Sequence, residues 1–315
     1  MKTFRVAIVG TGAMGWEHAL AFNAQPNAQI VALHNRTRKK AEKVAASLDK
    51  PIVYESIETL AQESRADLIV VAVPELAANG VAKACFSCDC AVLLEKPAGY
   101  NLSDAQDIAA AATGRKQPVF VGLNRRFYGS VIEARTDLDL RPAERRFVRI
   151  QDQQSYEEAR AHNHPETVIE HFMYANSIHN IDLISHFVRG SLTGVNIIQP
   201  WQGQNTEVVL AHLSFSSGDT ALYEGLWTGP GPWACSVSTP SARWSLMPLE
   251  EANVQLAGER TRRSIGRSQV DLDYKPGFYL QAQSVLNALS GHPSEAVDLE
   301  DSLKSMELIH RMFNV

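Results

Sequence analysis

The chain is short of cysteine, of basic excess and of long apolar runs. Four cysteines in 315 residues are too few for a disulfide-built scaffold. With 30 basic residues against 35 acidic ones and a formal net charge of -5, it lacks the basic surplus of a dedicated nucleic-acid binder. No stretch reaches the roughly 20 consecutive apolar residues that span a bilayer. The opening apolar run, Phe4 to Val9, is too short for a signal-peptide core. These absences lead to the expectation of a soluble, cytoplasmic protein with neither membrane nor nucleic-acid partners. Apolar residues at 45% and charged residues at 21% are ordinary globular usage. At about 150 residues per domain, the length suggests two domains or one large one.

Two clusters invite a metal reading. Cys85, Cys88 and Cys90 lie together, but Cys235 is far off in sequence, which leaves an incomplete ligand set. Between a helix end and a buried strand, they read instead as small apolar residues. His162, His164, His171 and Glu170 contain one H-x-H pair and no second pair. A polar loop is the simpler reading, and no metal ligands are expected.

The first 123 residues alternate strand and helix. Apolar runs at 4–10, 29–34, 67–73, 91–94 and 118–122 are separated by helical segments at 16–24, 38–48, 76–86 and 103–112, the last with Ser103 as expected N-cap. The runs are continuously apolar, so both faces should be buried, as in a parallel sheet covered by helices on each side. After residue 124 the pattern changes. Residues 145–153 alternate as a strand with one wet face, and a helix is predicted over 168–188. Strands follow at 193–199, 206–215, 219–227 and 233–238. Residues 259–275 read as a charged surface loop, and helices at 277–289 and 299–312 close the chain. The expected architecture is an α/β doubly wound parallel sheet over 1–123, followed by an α+β domain over 124–315 with a large, mostly antiparallel sheet.

Gly10-Thr11-Gly12-Ala13-Met14-Gly15 is G-x-G-x-x-G. It follows the first strand and opens a helix, the context in which the pattern signals a dinucleotide-binding Rossmann turn. The first glycine allows the tight turn, the second lets backbone approach a pyrophosphate, and the third lets helix pack on strand. About 20 residues further on, an acidic residue would bind the ribose 2′-hydroxyl. Here Asn35 stands at that place, followed by Arg36-Thr37-Arg38. Asparagine with arginine nearby accommodates a 2′-phosphate, so NADP is expected ahead of NAD. Pro74 stops the third strand at the same edge of the sheet.

Glu95-Lys96-Pro97 follows the fourth apolar run and therefore lies at the carboxyl edge, where open α/β sheets bind ligands. The N-terminal G-x-G-x-x-G, this E-K-P, Gly122-Leu123-Asn124-Arg125-Arg126-Phe127 and Ser177-Ile178-His179-Asn180-Ile181-Asp182 together resemble the Gfo/Idh/MocA oxidoreductases. The resemblance implies hydride transfer on a sugar, cyclitol or sugar derivative, and a homodimer or homotetramer formed through the open sheet face. It implies that Lys96 contacts the reacting oxygen and that Glu95 approaches the nicotinamide ribose. It implies that His179, whose imidazole titrates near neutrality, is the general acid/base or positions the oxygen with Lys96. Asp182, one turn along, either orients His179 or anchors the helix, and anchoring is the favoured role. The chain departs from the family at Ala175, where many members carry aspartate, at Ser177 for glycine and at Ala78 for histidine. Tyr174, Asn176, Glu170 and His171 remain open as substitutes for the missing carboxylate. Two other readings stay in view: a cofactor-binding sensor with little turnover, and a reductase of a cyclic imine, dihydrodiol or tetrapyrrole. Arg125 and Arg126 suit either an anionic ligand or a salt-bridged hinge. Trp227, Trp233 and Trp244 suit sheet-face packing.

Overall fold

A computed structural model describes residues 2–315. The chain divides into two compact units. One runs to Asn124 and takes in Asp273–Leu303; the other holds Arg125–Leu272 and Lys304–Val315.

In the first unit, β1 (Phe4–Val9), α1 (Ala13–Asn23), β2 (Ala28–His34), α2 (Arg38–Ala46), β3 (Ile52–Val53), α3 (Ile57–Glu63), β4 (Leu68–Val71), α4 (Glu75–Cys85), β5 (Ala91–Glu95), α5 (Leu102–Ala112) and β6 (Val119–Gly122) alternate. The strands form one sheet in the order β3-β2-β1-β4-β5-β6, every neighbouring pair parallel. That is the doubly wound order whose switch point lies between β1 and β4. All four residues of β4 and of β6 are buried, as the unbroken apolar runs require. Two local expectations change. The N-cap of α5 is Asn101, whose side chain accepts from the Asp104 amide at 2.9 Å. Ser103 sits inside the first turn, while Asn101 holds the extended backbone that a cap needs. Cys88 and Cys90, expected as plain apolar residues, are joined as a disulfide across the turn before β5.

The second unit begins with a 3₁₀ turn at Arg125 and continues through α6 (Gly129–Asp139), β7 (Phe147–Gln153), α7 (Tyr156–Ala161), α8 (Glu166–Glu170), a π-helical turn (Met173–Ser177) and α9 (Ile178–Phe187). Strands β8 (Leu192–Gln199), β9 (Val208–Phe215), β10 (Thr220–Leu226), β11 (Trp233–Ser238), β12 (Ala242–Leu246), β13 (Ala252–Leu256) and β14 (Arg263–Ile265) follow. They join β7 in an eight-stranded sheet ordered β14-β13-β12-β11-β7-β10-β9-β8. Only the β7–β10 pairing is parallel; the other six are antiparallel. Burial alternates strictly along β9 and β10, the mark of a sheet with one covered face. The helix expected over 168–188 is broken into three pieces, because the π turn interrupts it. The expected 259–275 loop contains β14, which pairs with β13 at the sheet edge, and α10 (Gln269–Asp273). Charged residues are compatible with an edge strand.

The last elements are α11 (Phe278–Leu289) and α12 (Leu299–Phe313). The sequence reading assigned everything after 123 to the second domain, yet α11 packs in the first unit. Phe278, Ala282, Val285 and Leu286 are buried in one core with Phe4, Val6, Ala19 and Phe22. The Val121 amide also donates to the Val297 carbonyl at 2.8 Å.

Candidate functional site

The turn between β1 and α1 holds two glycines, Gly10 and Gly15, at which the backbone leaves no room for a Cβ. Gly10 has φ +92, and a Cβ there would lie 2.1 Å from the Ala72 carbonyl oxygen. A Cβ on Gly15 would lie 1.8 Å from the Gly10 oxygen, whereas a Cβ on Gly12 would meet nothing within 4 Å. Two glycines therefore close the turn and the middle one leaves its outer side open. Helix α1 starts there with no side-chain cap and no acidic residue in its first turn. Its first amides and the positive end of its dipole are left for an anion. The Thr11 hydroxyl is buried with no hydrogen-bond partner among the described residues, a cost that a ligand oxygen would relieve. Gly10, Thr11, Gly12, Ala13, Met14 and Gly15 thus fit a dinucleotide pyrophosphate.

Asn35 takes part in the same turn. Its Oδ1 accepts from the Thr11 amide at 3.0 Å and its Nδ2 donates to the Thr37 carbonyl at 3.1 Å. It stitches the end of β2 to the glycine loop. Arg36 is exposed beside it. Arg38 turns away to Glu42 at 2.7 Å and to Glu55.

At the carboxyl end of β5, Glu95 is fixed from two directions. His18 Nε2 and Glu95 Oε1 are 2.7 Å apart, with the two side chains 1% and 10% exposed. Glu95 Oε2 accepts from the Lys96 amide at 3.0 Å. The His18 ring also lies 4.7 Å from that of Phe278. Sequence reasoning missed His18; its signal was a polar residue three places after Gly15 and four before Phe22, on the helix face that meets the sheet. Lys96 is half-buried, and Pro74 immediately precedes the first turn of α4.

The second unit contributes side chains instead of backbone. Asp182 binds Arg126 through two hydrogen bonds, from Nε at 2.8 Å and from a terminal nitrogen at 2.7 Å, and accepts from the Ser305 hydroxyl at 2.8 Å. The pair anchors α9. Arg125 lies over the Trp233 ring at 4.1 Å and donates to Asn180 Oδ1 at 2.6 Å. Burial lowers the Arg125 pKa, against the pull of Tyr128 and Asp152. Asp152, buried on β7, accepts from Asn180 at 2.6 Å, Gln154 at 2.8 Å and Tyr223 at 2.8 Å. Burial raises its carboxyl above the ordinary range, while those hydrogen bonds oppose the rise. Asp152 was also missed. The alternation Val148, Ile150, Asp152 already placed it on the covered face of its strand.

A polar cavity of about 220 Å³ opens beside this cluster, bordered by Gln154, Glu158, His162, His164, Asn176 and Trp233. Among the four substitutes left open for Ala175, only Asn176 lines it. Tyr174 is buried, its hydroxyl pushed up to about 12 by desolvation. Glu170 is exposed, and the His171 ring bonds the Thr167 carbonyl at 2.9 Å. His179 is half-buried, its ring 6.5 Å from that of Trp233. Trp227 and Trp244 are buried packing residues.

Comparison with known proteins fits this geometry. The model of an oxidoreductase family with an NAD-binding Rossmann fold, GFO_IDH_MocA, matches residues 4–123. Inositol 2-dehydrogenase 1 of Saccharopolyspora erythraea is 32% identical over 141 residues, which are 44% of this chain and 42% of that protein. Mouse trans-1,2-dihydrobenzene-1,2-diol dehydrogenase is 29% identical over 119 residues, 37% of this chain and 35% of that one. The match thus spans about two fifths of the length of these curated relatives. Among solved structures, a dehydrogenase from Chromobacterium violaceum superposes with TM-score 0.83 at 20% identity, covering 99% of this chain and 95% of its own. Levoglucosan dehydrogenase in complex with NADH and levoglucosan gives TM-score 0.83 at 14% identity, covering 99% and 96%. At these identities the superpositions speak for the fold alone.

Proposed function

Since the model of the Gfo/Idh/MocA oxidoreductase family matches residues 4–123, we propose that the chain is a nicotinamide-dependent dehydrogenase of an uncharged, polyhydroxylated substrate. The glycine turn carries the cofactor half of this reading. Its open Gly12 and its unpartnered Thr11 hydroxyl support a bound pyrophosphate. The cavity carries the substrate half. Amides, imidazoles, an indole and the Glu158 carboxylate border it, and among the described residues no lysine or arginine does, a lining that suits hydroxyl groups better than a phosphate or carboxylate.

When bound, the nicotinamide supplies the redox chemistry; the protein supplies position and proton handling. Lys96 donates a hydrogen bond to the reacting oxygen. His179 takes the hydroxyl proton in oxidation and returns it in reduction. Glu95, clamped by His18, holds the Lys96 backbone in place. Asn35 leaves no carboxylate to repel a 2′-phosphate and Arg36 is exposed nearby, so NADP is favoured over NAD. A homodimer or homotetramer would form through the open face of the eight-stranded sheet, on which Phe147 is 41% exposed.

The test is the absorbance of reduced nicotinamide while the protein, with NADP or NAD, meets myo-inositol, levoglucosan and a panel of other sugars. Lys96→Ala should lower turnover by about 100-fold or more without weakening cofactor binding. Equal KM values for the two cofactors would remove the NADP preference. Silence across the panel with cofactor binding intact would favour the non-sugar substrate or the sensor reading, for which the apolar Ala175 speaks.

A further inference from the structure

The Asp152 cluster has a direction as well as a shape. Asp152 Oδ1 receives two side-chain amides, Asn180 Nδ2 at 2.6 Å and Gln154 Nε2 at 2.8 Å. A carboxylate oxygen facing two NH₂ groups can only accept. Should a proton settle on Oδ2, beside the Tyr223 hydroxyl, Oδ1 would still be an acceptor. Both amides must therefore turn their nitrogens inward. Gln154 then presents Oε1 outward, and Asn176 Nδ2 donates to it at 2.8 Å. With its nitrogen engaged, Asn176 keeps Oδ1 for the cavity that it borders. On the other branch, Asn180 Oδ1 accepts from Arg125, a group that only donates. That contact locks the same polarity independently.

We propose that Asp152, acting through Gln154, is a positioning residue that fixes Asn176 as a hydrogen-bond acceptor toward the substrate. The cavity thereby selects a ligand with a hydroxyl, or another donor, at that point. An ether or carbonyl oxygen placed there would face Asn176 Oδ1 with no proton between them, the kind of mismatch that discriminates strongly. The inference rests on the dehydrogenase reading for the identity of its ligand, but the direction of the relay does not.

Three substitutions separate the relay from plain packing. Gln154→Glu replaces the inward NH₂ by oxygen without changing shape and breaks the relay. Asn176→Leu removes its last acceptor, along with the donor to Gln154 Oε1, and keeps the bonds of Gln154 and Asn180 to Asp152. Asp152→Asn can keep its carbonyl toward Gln154 and Asn180 and turn its own NH₂ to the Tyr223 hydroxyl, so it should rescue. With myo-inositol as probe, Gln154→Glu and Asn176→Leu should raise its KM about tenfold, the size of one neutral hydrogen bond. KM for the nicotinamide cofactor should stay fixed, and Asp152→Asn should remain near wild type. Tryptophan fluorescence, reporting myo-inositol binding beside Trp233, provides a readout that needs no turnover. Weaker binding in Asn176→Leu with no turnover in any form would keep the relay and overturn the dehydrogenase reading. Equal myo-inositol binding in wild type and Asn176→Leu would overturn the relay, whether or not the wild type turns over.

Discussion

In the first unit, the surface offered to a ligand is backbone: the amides of Gly12 and the start of α1, shaped by glycines. In the second it is side chain: Asn176, Gln154 and Trp233, held by Asp152, Asn180 and Arg125. A backbone site depends on conformations that only certain residues adopt, so it has a few positions of near-absolute constraint and many of none. A side-chain site depends on who donates and who accepts, so exchanging a single atom can break it while the fold persists. The two units should therefore fail differently when mutated.

The largest effect is expected at Gly15. A Cβ 1.8 Å from the Gly10 oxygen cannot be absorbed by a flexible side chain, because the obstacle is backbone. Gly15→Ala should cost about 4 kcal/mol or more and be seen as a large drop in the unfolding midpoint. Gly12→Ala is its counterpart. Nothing in the protein lies within 4 Å of that Cβ, so stability should hold while cofactor affinity falls. If Gly12→Ala bound the cofactor as well as wild type, the open side of the turn would not be where the pyrophosphate sits.

This contrast also explains what could be read from the sequence. The glycine turn was legible because its constraints are local: six consecutive residues after an apolar run. The unbroken apolar strands were legible for the same reason. The helix α11 in the first unit was not, because Phe278 and Leu286 meet Phe4 and Phe22 across more than 250 residues of chain, and no short window holds that information. Asn101 and Ser103 were both plausible caps, and only the backbone angle at Asn101 decides. Within the second unit, His179 stood out in the sequence as a residue type in a motif. The cluster that orders its neighbours was not, because Asp152, Gln154, Asn176, Asn180 and Tyr223 come from four separate elements and the residue following β7.

An intermediate effect is expected at the anchor of α9. Asp182→Ala leaves the Arg126 guanidinium, only 13% exposed, without its carboxylate. The cost should be about 3 kcal/mol, mostly the burial of an unpaired charge, measured by chemical denaturation. Adding Arg126→Met should recover part of it. If the double variant were no more stable than Asp182→Ala alone, the pair would be acting through Ser305, the third member of the cluster.

The smallest effect depends on pH, and again separates side chain from backbone, since backbone amides and carbonyls do not titrate in this range. His186, near the end of α9, is buried, and its pKa is lowered from 6.5 to about 3 by desolvation first and then by Arg126 and Arg135. The sign follows from which state takes the proton. Above about pH 6.5 neither folded nor unfolded His186 is charged and it contributes no pH dependence. Below that value the unfolded chain binds a proton that the folded unit refuses until about pH 3. Stability is therefore lost as pH falls through this window, by about 1.4 kcal/mol for each unit once well below 6.5. Between pH 7 and pH 5.5 the loss amounts to only about 1 kcal/mol on this slope. The variant His186→Gln cannot titrate, so the difference between its denaturation midpoint and that of wild type should shrink as pH falls. A difference that stays constant from pH 7 to pH 5 would mean that His186 gains its proton in the folded unit as readily as in the unfolded chain, and that the end of α9 opens to water in a way its burial does not suggest.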